Sequence, residues 1–434
     1  MAKNSKHRTE KLRDIERKAL HAYGSNHGVL QMAGKVRIKD LRDLAVYYTP
    51  GVSYPPLQIR RNPALSYKYT GRANRIAIIT NGSRILGLGN IGPEAGLPVM
   101  EGKALLFKKF GNVDAFPLAI NANSVEKIVA FAKAVEPSVG GINLEDISSP
   151  DGFYAFERLQ KELGIFVFHD DRQGTAVAAD AALRNAMKLT NRDIKKAKIV
   201  VNGVGAAGVG IGELILAAGC ENVIMCDSHG ILYKGRKENM NDIKKRLSEH
   251  TNPNIVKGQL IDAVKNADVL IGASSANAFK ERHIEMMADK PIVFALANPH
   301  PEIEHTHALK AGAYIVATGE SDVPNQVNNV LAFPGIFRGA LDVYARKINS
   351  AMLLEASRQL AHGVPSNRRE REHIIPNFVD DDIPSITADI AAGVARVAME
   401  TGVARIKVDP DEVRKKTKES LENYSRLEKH FKSN

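Results

Sequence analysis

The run from Lys198 to Asp227, KIVVNGVGAAGVGIGELILAAGCENVIMCD, constrains the fold most. Lys198–Asn202 predicts a strand and Val209–Ala218 a helix. Asn222–Cys226 predicts a second strand, ending at Asp227. Between the first strand and the helix stand Gly203, Val204, Gly205, Ala206, Ala207 and Gly208, a G-x-G-x-x-G turn with an acid about 20 residues beyond its last glycine. Strand, glycine turn, helix and acid together specify a βαβ unit that binds a dinucleotide. The glycines allow a tight turn. They and the amides of Ala206 and Ala207 can approach a pyrophosphate at the helix N-terminus. Asp227 suits the adenine ribose hydroxyls of NAD, yet Lys234, Arg236, Lys244 and Lys245 follow and suit the 2′-phosphate of NADP. Both cofactors stay open.

Further short apolar runs repeat the βα theme. Arg75–Thr80 reads as a buried strand, followed by a glycine-dense loop from Asn81 to Gly92, in which Arg84 is placed to clamp a carboxylate. Gly140–Leu144 ends at Glu145-Asp146, and Ile165–Phe168 ends at His169-Asp170-Asp171. After Gln173-Gly174-Thr175 the chain becomes an alanine-rich helix. Val269–Gly272 ends at Ala273-Ser274-Ser275, Ile292–Leu296 at Ala297-Asn298-Pro299, and Tyr314–Thr318 runs towards the amide-rich Pro324–Asn329. A right-handed crossover places successive strand ends on one sheet edge. Four carboxylates then converge, and such a cluster repels itself unless protons or a cation neutralise it. Oxygen ligands without cysteine suit Mg²⁺ or Mn²⁺. Helix capping is the competing explanation for these aspartates. Solvation competes for Arg84, and ordinary packing for Tyr48 before the Thr49-Pro50-Gly51 turn.

The length of 434 residues allows two or three domains. No apolar run reaches the ~18 residues of a membrane helix, and no apolar segment follows the basic N-terminus. Cys220 and Cys226 are the only cysteines, which points to a reducing compartment, simplest as the cytoplasm. The net charge of +11 is interleaved with acids and lacks stacking aromatics, so no nucleic-acid partner is expected. The expected architecture is α/β: an N-terminal α/β catalytic domain over 1–163, a doubly wound Rossmann-type dinucleotide-binding domain over 164–385, and a helical segment over 386–434 packing back on the core. The N-terminal helix is a candidate oligomer interface.

Seven motifs in order resemble the malic enzyme family. They are YTPGV (Tyr48–Val52), GLGNIG (Gly87–Gly92), MEGK (Met100–Lys103), NLED (Asn143–Asp146), HDD-x-x-GTA (His169–Ala176), ALANP (Ala295–Pro299) and PNQVNNVLAFPG (Pro324–Gly335). The length resembles the short prokaryotic form. The resemblance implies metal-dependent oxidative decarboxylation of L-malate to pyruvate and CO₂ with reduction of NAD⁺ or NADP⁺, by a homodimer or homotetramer. It implies Glu145, Asp146 and Asp171 as metal ligands, Lys103 as general base supported by Asp170, and Tyr48 as general acid. Arg84, Asn298 and Asn329 would bind malate. Thr175, Ser274 and Asn298 join Gly203, Gly205, Ala206, Ala207, Gly208 and Asp227 as cofactor contacts. A Lys103 pKa lowered by burial and the cation is part of that expectation. The chain departs from many short forms at Arg172-Gln173 and in carrying Arg84. A metal-independent 2-amino-acid dehydrogenase and a non-catalytic dinucleotide- or nucleic-acid-binding protein are the rival readings.

Overall fold

The computed structural model describes residues 2–85, 87–379 and 381–430. Two mainly parallel sheets organise it. The first contains β1 (Arg75–Thr80), β2 (Asp114–Ala119), β3 (Gly141–Leu144) and β4 (Phe166–His169), in the order β2-β1-β3-β4. The second contains β5 (Lys198–Asn202), β6 (Asn222–Asp227), β7 (Gly230–Ile231), β8 (Val269–Gly272), β9 (Ile292–Ala295) and β10 (Ile315–Thr318), in the order β10-β9-β8-β5-β6-β7. Only the short β7 runs antiparallel. Helices cover both faces, so the strands are apolar runs rather than alternating ones. β8, β9 and β10 are buried at every position. Strand order reverses between β1 and β3 in one sheet and between β5 and β8 in the other. Crevices for ligands open at the carboxyl ends of strands at such points.

The first sheet extends beyond residue 163. Its β4 pairs with β3 from Gly141↔Phe166 to Leu144↔His169. The helix Phe333–Asp342 also packs on that sheet. Its Phe333 and Phe337 rings lie 4.5 and 4.7 Å from Phe107, and Phe337 lies 5.3 and 5.2 Å from Phe166 and Phe168. These aromatics fill the space above the sheet, which draws a late segment back to an early one.

The helix Asp170–Thr190 joins the two sheets. It starts at Asp170 rather than after Thr175, so His169 is its N-cap and both aspartates form its first turn. Negative charge there is favoured by the helix dipole. Its buried alanines lie against the helix Ala206–Ala217. A Cβ on Gly210 would sit 2.0 Å from the Arg172 carbonyl oxygen, so only glycine permits this approach.

The helices Ser350–His362, Ile383–Glu400 and Pro410–Glu428 complete the fold. Gly335 and Gly339 abut Ile390 and Ala391, and Lys109 pairs with Glu428. At the other end of the chain, the Tyr23 hydroxyl donates to the Pro98 carbonyl at 3.2 Å. The Val29 amide donates to Glu101 at 2.9 Å. Among the described residues no helix is long and apolar enough to cross a membrane.

Glu355 ties the helix Ser350–His362 to the helix Ile383–Glu400 through Arg396 at 2.9 Å, and within its own helix it pairs with Arg358 at 2.6 Å and accepts from Gln359 at 2.8 Å. Burial alone would raise its pKa, but these donors outweigh it and bring it down to about 2. A depressed carboxylate contributes stability above its unfolded pKa and loses it as pH falls towards the folded value. Glu355→Gln should therefore lower the melting midpoint at pH 7. The gap to wild type should narrow as the pH drops below about 4.5, the ordinary glutamate value. Thermal unfolding of both chains at pH 7, 5 and 4 measures it.

Candidate active site

Lys103 stands at the centre of the cleft of the first sheet. It lies on the helix Pro93–Gly111 and is 8% exposed. Its ammonium pairs with Asp170, reaches Glu145 Oε1 at 3.2 Å and lies 4.2 Å from the Phe333 ring centroid. Glu145 follows β3 and accepts from Asn143 Nδ2 at 2.7 Å. The Asn329 amide donates to Asp170, and a Cβ on Gly174 would fall 2.1 Å from Asp170 Oδ1 and 3.2 Å from Asn329 Cβ. Gly174 is thus what lets Asn329 reach the aspartate. The Asp146 amide donates to Asp171 Oδ2 at 3.1 Å, joining the strand ends of β3 and β4.

Electrostatics follow from burial. Desolvation alone would lower the Lys103 pKa, but Asp170 and Glu145 outweigh it and the net shift is upward. The expected lowering is therefore absent in this chain by itself. Burial pushes Asp170, Asp171 and Glu145 upward, with Lys103 opposing in each case. His169, fully buried, is driven down to about 3 and is neutral at pH 7. Glu145, Asp170 and Asp171 thus share Lys103, with Arg84 acting on Asp171, and the cleft is short of positive charge.

That donor set fits a hard divalent cation in kind: carboxylate oxygens, no sulfur, and an excess of negative charge. It is not assembled around a point. Among the described residues no three His, Cys, Asp or Glu side chains are gathered to share one ion. Glu145 is drawn to Lys103 and Asn143 instead, and Asp171 to the Asp146 amide.

Arg84 bridges to the second sheet. Its amide donates to the Asp146 carbonyl at 3.1 Å, its charge pulls Asp171 downward, and its Nη1 lies 3.8 Å from where a Gly205 Cβ would be. Gly203 has φ +122°, and a Cβ there would meet the Ala273 carbonyl oxygen at 2.2 Å. A Cβ on Gly208 would strike the Gly203 carbonyl oxygen at 2.0 Å. Ala206 and Ala207 open the helix Ala206–Ala217. Ser274 Oγ receives Asn202 Nδ2 at 3.0 Å, and Thr175 lies in the second turn of the Asp170 helix. Asn298 lies against Gly319 on the same edge.

Two of the expected site residues lie outside the Lys103 cluster. Asp227 does not present free oxygens. Arg236 contacts it at 2.8 and 2.9 Å, Lys244 at 2.7 Å, Asn239 at 3.2 Å and the His229 amide at 2.9 Å. Burial would raise it, but Lys244 and Arg236 win and hold it low. Tyr48 is 65% exposed beside the cis Thr49–Pro50 bond and outside the buried cluster. Asn143 and Phe333, by contrast, support the site without having been anticipated. Their only signal was their place in the NLED and AFPG strings. Gly174→Ala should cost about 1–3 kcal/mol by overpacking against Asp170, read as a lower urea midpoint with an unchanged slope.

Comparisons with known proteins agree with this construction. The family descriptions "Malic enzyme, NAD binding domain" and "Malic enzyme, N-terminal domain" match residues 172–399 and 29–125. The chain is 48% identical over 404 residues to the "Bifunctional malic/malolactic enzyme" of Bacillus subtilis (strain 168), covering 93% of this chain and 98% of that one. It is 43% identical over 378 residues to the "NAD-dependent malic enzyme" of Geobacillus stearothermophilus, covering 87% and 78%. The crystal structure of malic enzyme from Pyrococcus horikoshii Ot3 superposes with a TM-score of 0.88 at 44% identity, covering 92% and 93%. The two family descriptions and relatives 43–48% identical over most of the chain lead to one assignment: the chain belongs to the malic enzyme family.

Proposed function

We propose that the chain oxidatively decarboxylates L-malate to pyruvate and CO₂ while reducing a nicotinamide dinucleotide. The observation that carries this is the convergence of Lys103, Glu145, Asp170 and Arg84 beside the Gly205 turn. Glu145, Asp146 and Asp171 would hold a divalent cation, Mg²⁺ or Mn²⁺, which when bound supplies Lewis-acid polarisation of the substrate oxygens.

Lys103 takes the proton of the C2 hydroxyl as general base. It serves only when Glu145 is drawn off it, because two carboxylates now hold its proton in place. Asp170 and Asn329 then keep the amine oriented. Arg84 and Asn298 bind the substrate carboxylates, and Asn329 lines the same pocket. Phe333 and the burial of Lys103 exclude water. Tyr48 returns a proton to C3 of the enol that decarboxylation leaves.

The saturated Asp227 supports NADP as the better cofactor. Ribose hydroxyls find its oxygens occupied, and although Arg236 spends its N–H groups on Asp227 and on backbone carbonyls, Lys244 keeps one ammonium N–H and leaves a net positive charge for a 2′-phosphate. The N-terminal surface supports self-association. Met32 and Leu41 are 84% and 81% exposed, with Val46, Tyr47, Tyr48 and Tyr54 also uncovered. So much uncovered apolar side chain marks an interface, and a second copy covering it would shield Tyr48 from water. We place the homo-oligomer in the cytoplasm, as the two buried thiols suggest.

Malate-dependent reduction with stoichiometric pyruvate, abolished by chelator and restored by Mn²⁺, is the expected result. Reduction without pyruvate would leave a plain dehydrogenase. Lys103→Ala should cut turnover by about 10²–10⁴-fold, and should also lower the melting temperature, because it leaves the buried Asp170 and Glu145 without their counter-charge. Lys244→Gln should lower kcat/KM for NADP⁺ by about tenfold, the effect of 1.4 kcal/mol, and leave NAD⁺ nearly unaffected. Leu41→Glu should shift the sedimenting species towards the monomer.

A further inference from the structure

Glu302 has no place in the chemistry above, yet it is completely buried. It lies beyond β9 and turns back beneath the carboxyl edge of the second sheet. Its Oε1 accepts from the Ser274 amide at 2.7 Å and from Ser274 Oγ at 3.1 Å. Its Oε2 accepts from the Ala297 amide at 3.0 Å. Space for it is made by Gly272, where a Cβ would lie 2.4 Å from the carboxyl carbon. One carboxylate thus holds the loop after β8 and the loop after β9 together, with both oxygens bound by N–H donors.

Those two loops face different ligands. Ser274 adjoins the dinucleotide turn. A Cβ on Gly203 would touch Ala273 and Ser274, and Asn202 at the end of β5 donates to Ser274. Ala297 precedes Asn298 and Pro299. A Cβ built on Gly87 would meet Pro299 Cδ at 2.6 Å, so the second loop abuts the glycine loop that carries Arg84. A contiguous path therefore runs from the Gly203 turn through Ser274, Glu302, Ala297 and Pro299 to the substrate side of the cleft.

We propose that Glu302 is a positioning residue that couples dinucleotide binding to substrate binding, by fixing the Ser274 and Asn298 loops to one carboxylate. The proposal rests on the functional reading above. Dinucleotide seated on the Gly203 turn sets Ser274. Because Ser274 and Ala297 share Glu302, the Asn298 loop is set in the same event. Malate then meets a loop that is already ordered, and by linkage each ligand tightens the other by the same factor. A glutamine in this place keeps the size but not the function. Its oxygen accepts one N–H, while its NH₂ confronts the other.

The test uses the non-reacting combination of NADPH and L-malate with Mg²⁺, followed by NADPH fluorescence on the full chain. In wild type, saturating malate should tighten NADPH by at least about fivefold, the lower end of usual couplings. In Glu302→Gln the factor should fall to near one, while the affinity for NADPH alone changes less than threefold. Ser274→Ala removes one of the three contacts and should give an intermediate factor. It keeps the proposal open to refutation where E302Q does not fold. Full coupling in E302Q or in S274A would overturn the proposal. So would a wholesale loss of NADPH affinity in E302Q, which marks a merely structural carboxylate. NADPH binding by wild type that malate leaves unaltered, together with no malate oxidation, would instead defeat the functional reading itself.

Discussion

The close approach of the helices Asp170–Thr190 and Ala206–Ala217 is the constraint on which the rest depends. Each brings its N-terminus to one cleft, the first carrying Asp170 and Asp171 and the second following the Gly203–Gly208 turn. Their separation is fixed where Gly210 meets the Arg172 carbonyl. Around that contact Arg172 grips Glu213 with donors at 2.7 and 3.0 Å, and its guanidinium lies 5.1 and 5.4 Å from the Phe153 and Phe156 rings. A three-element joint of this kind converts two separate sheets into one site. Arg172, a departure from the usual motif, is spent on that joint rather than on the ligand.

Charge provides the second layer of control. A lysine ringed by carboxylates in a dry cleft is held protonated, and the carboxylates in turn are restrained by it. This resting balance stabilises the folded chain while keeping the ammonium charged. Burial strengthens both the attraction and the penalty for any unmatched charge. Neutralising the acids from outside therefore changes the lysine as well; in the reaction proposed above, that ties substrate deprotonation to occupancy of the cleft.

Much of this was legible in the sequence, and the limits have physical causes. The strands were readable because parallel strands covered on both faces are continuous apolar runs, as RIAIIT and KIVVN are. The dinucleotide turn was readable because its glycines answer steric needs, and the contacts at Gly203 and Gly208 show those needs directly. Sheet membership was not, since periodicity says nothing about neighbours. β4 therefore falls in the first sheet although it was assigned to the second unit. Asp227 was correctly placed at a strand end, but its partners Arg236 and Lys244 come from a loop and helix whose approach no local pattern encodes. Tyr48 was recognised by motif, whereas its exposure depends on what covers the chain's apolar N-terminal surface.

The return of the Phe333–Asp342 helix to Phe107 has a consequence for biosynthesis. Phe107 and Phe337 are 230 positions apart, yet they share one core. As the ribosome delivers the chain, β1 to β4 emerge long before the ring that closes over them. The first sheet must wait, with apolar surface uncovered, while the whole second sheet is made. Contacts of such sequence separation are slow to form and leave intermediates prone to aggregate. The core of the first sheet therefore closes only after the second sheet has been made, and the two sheets do not mature as independent, successive modules.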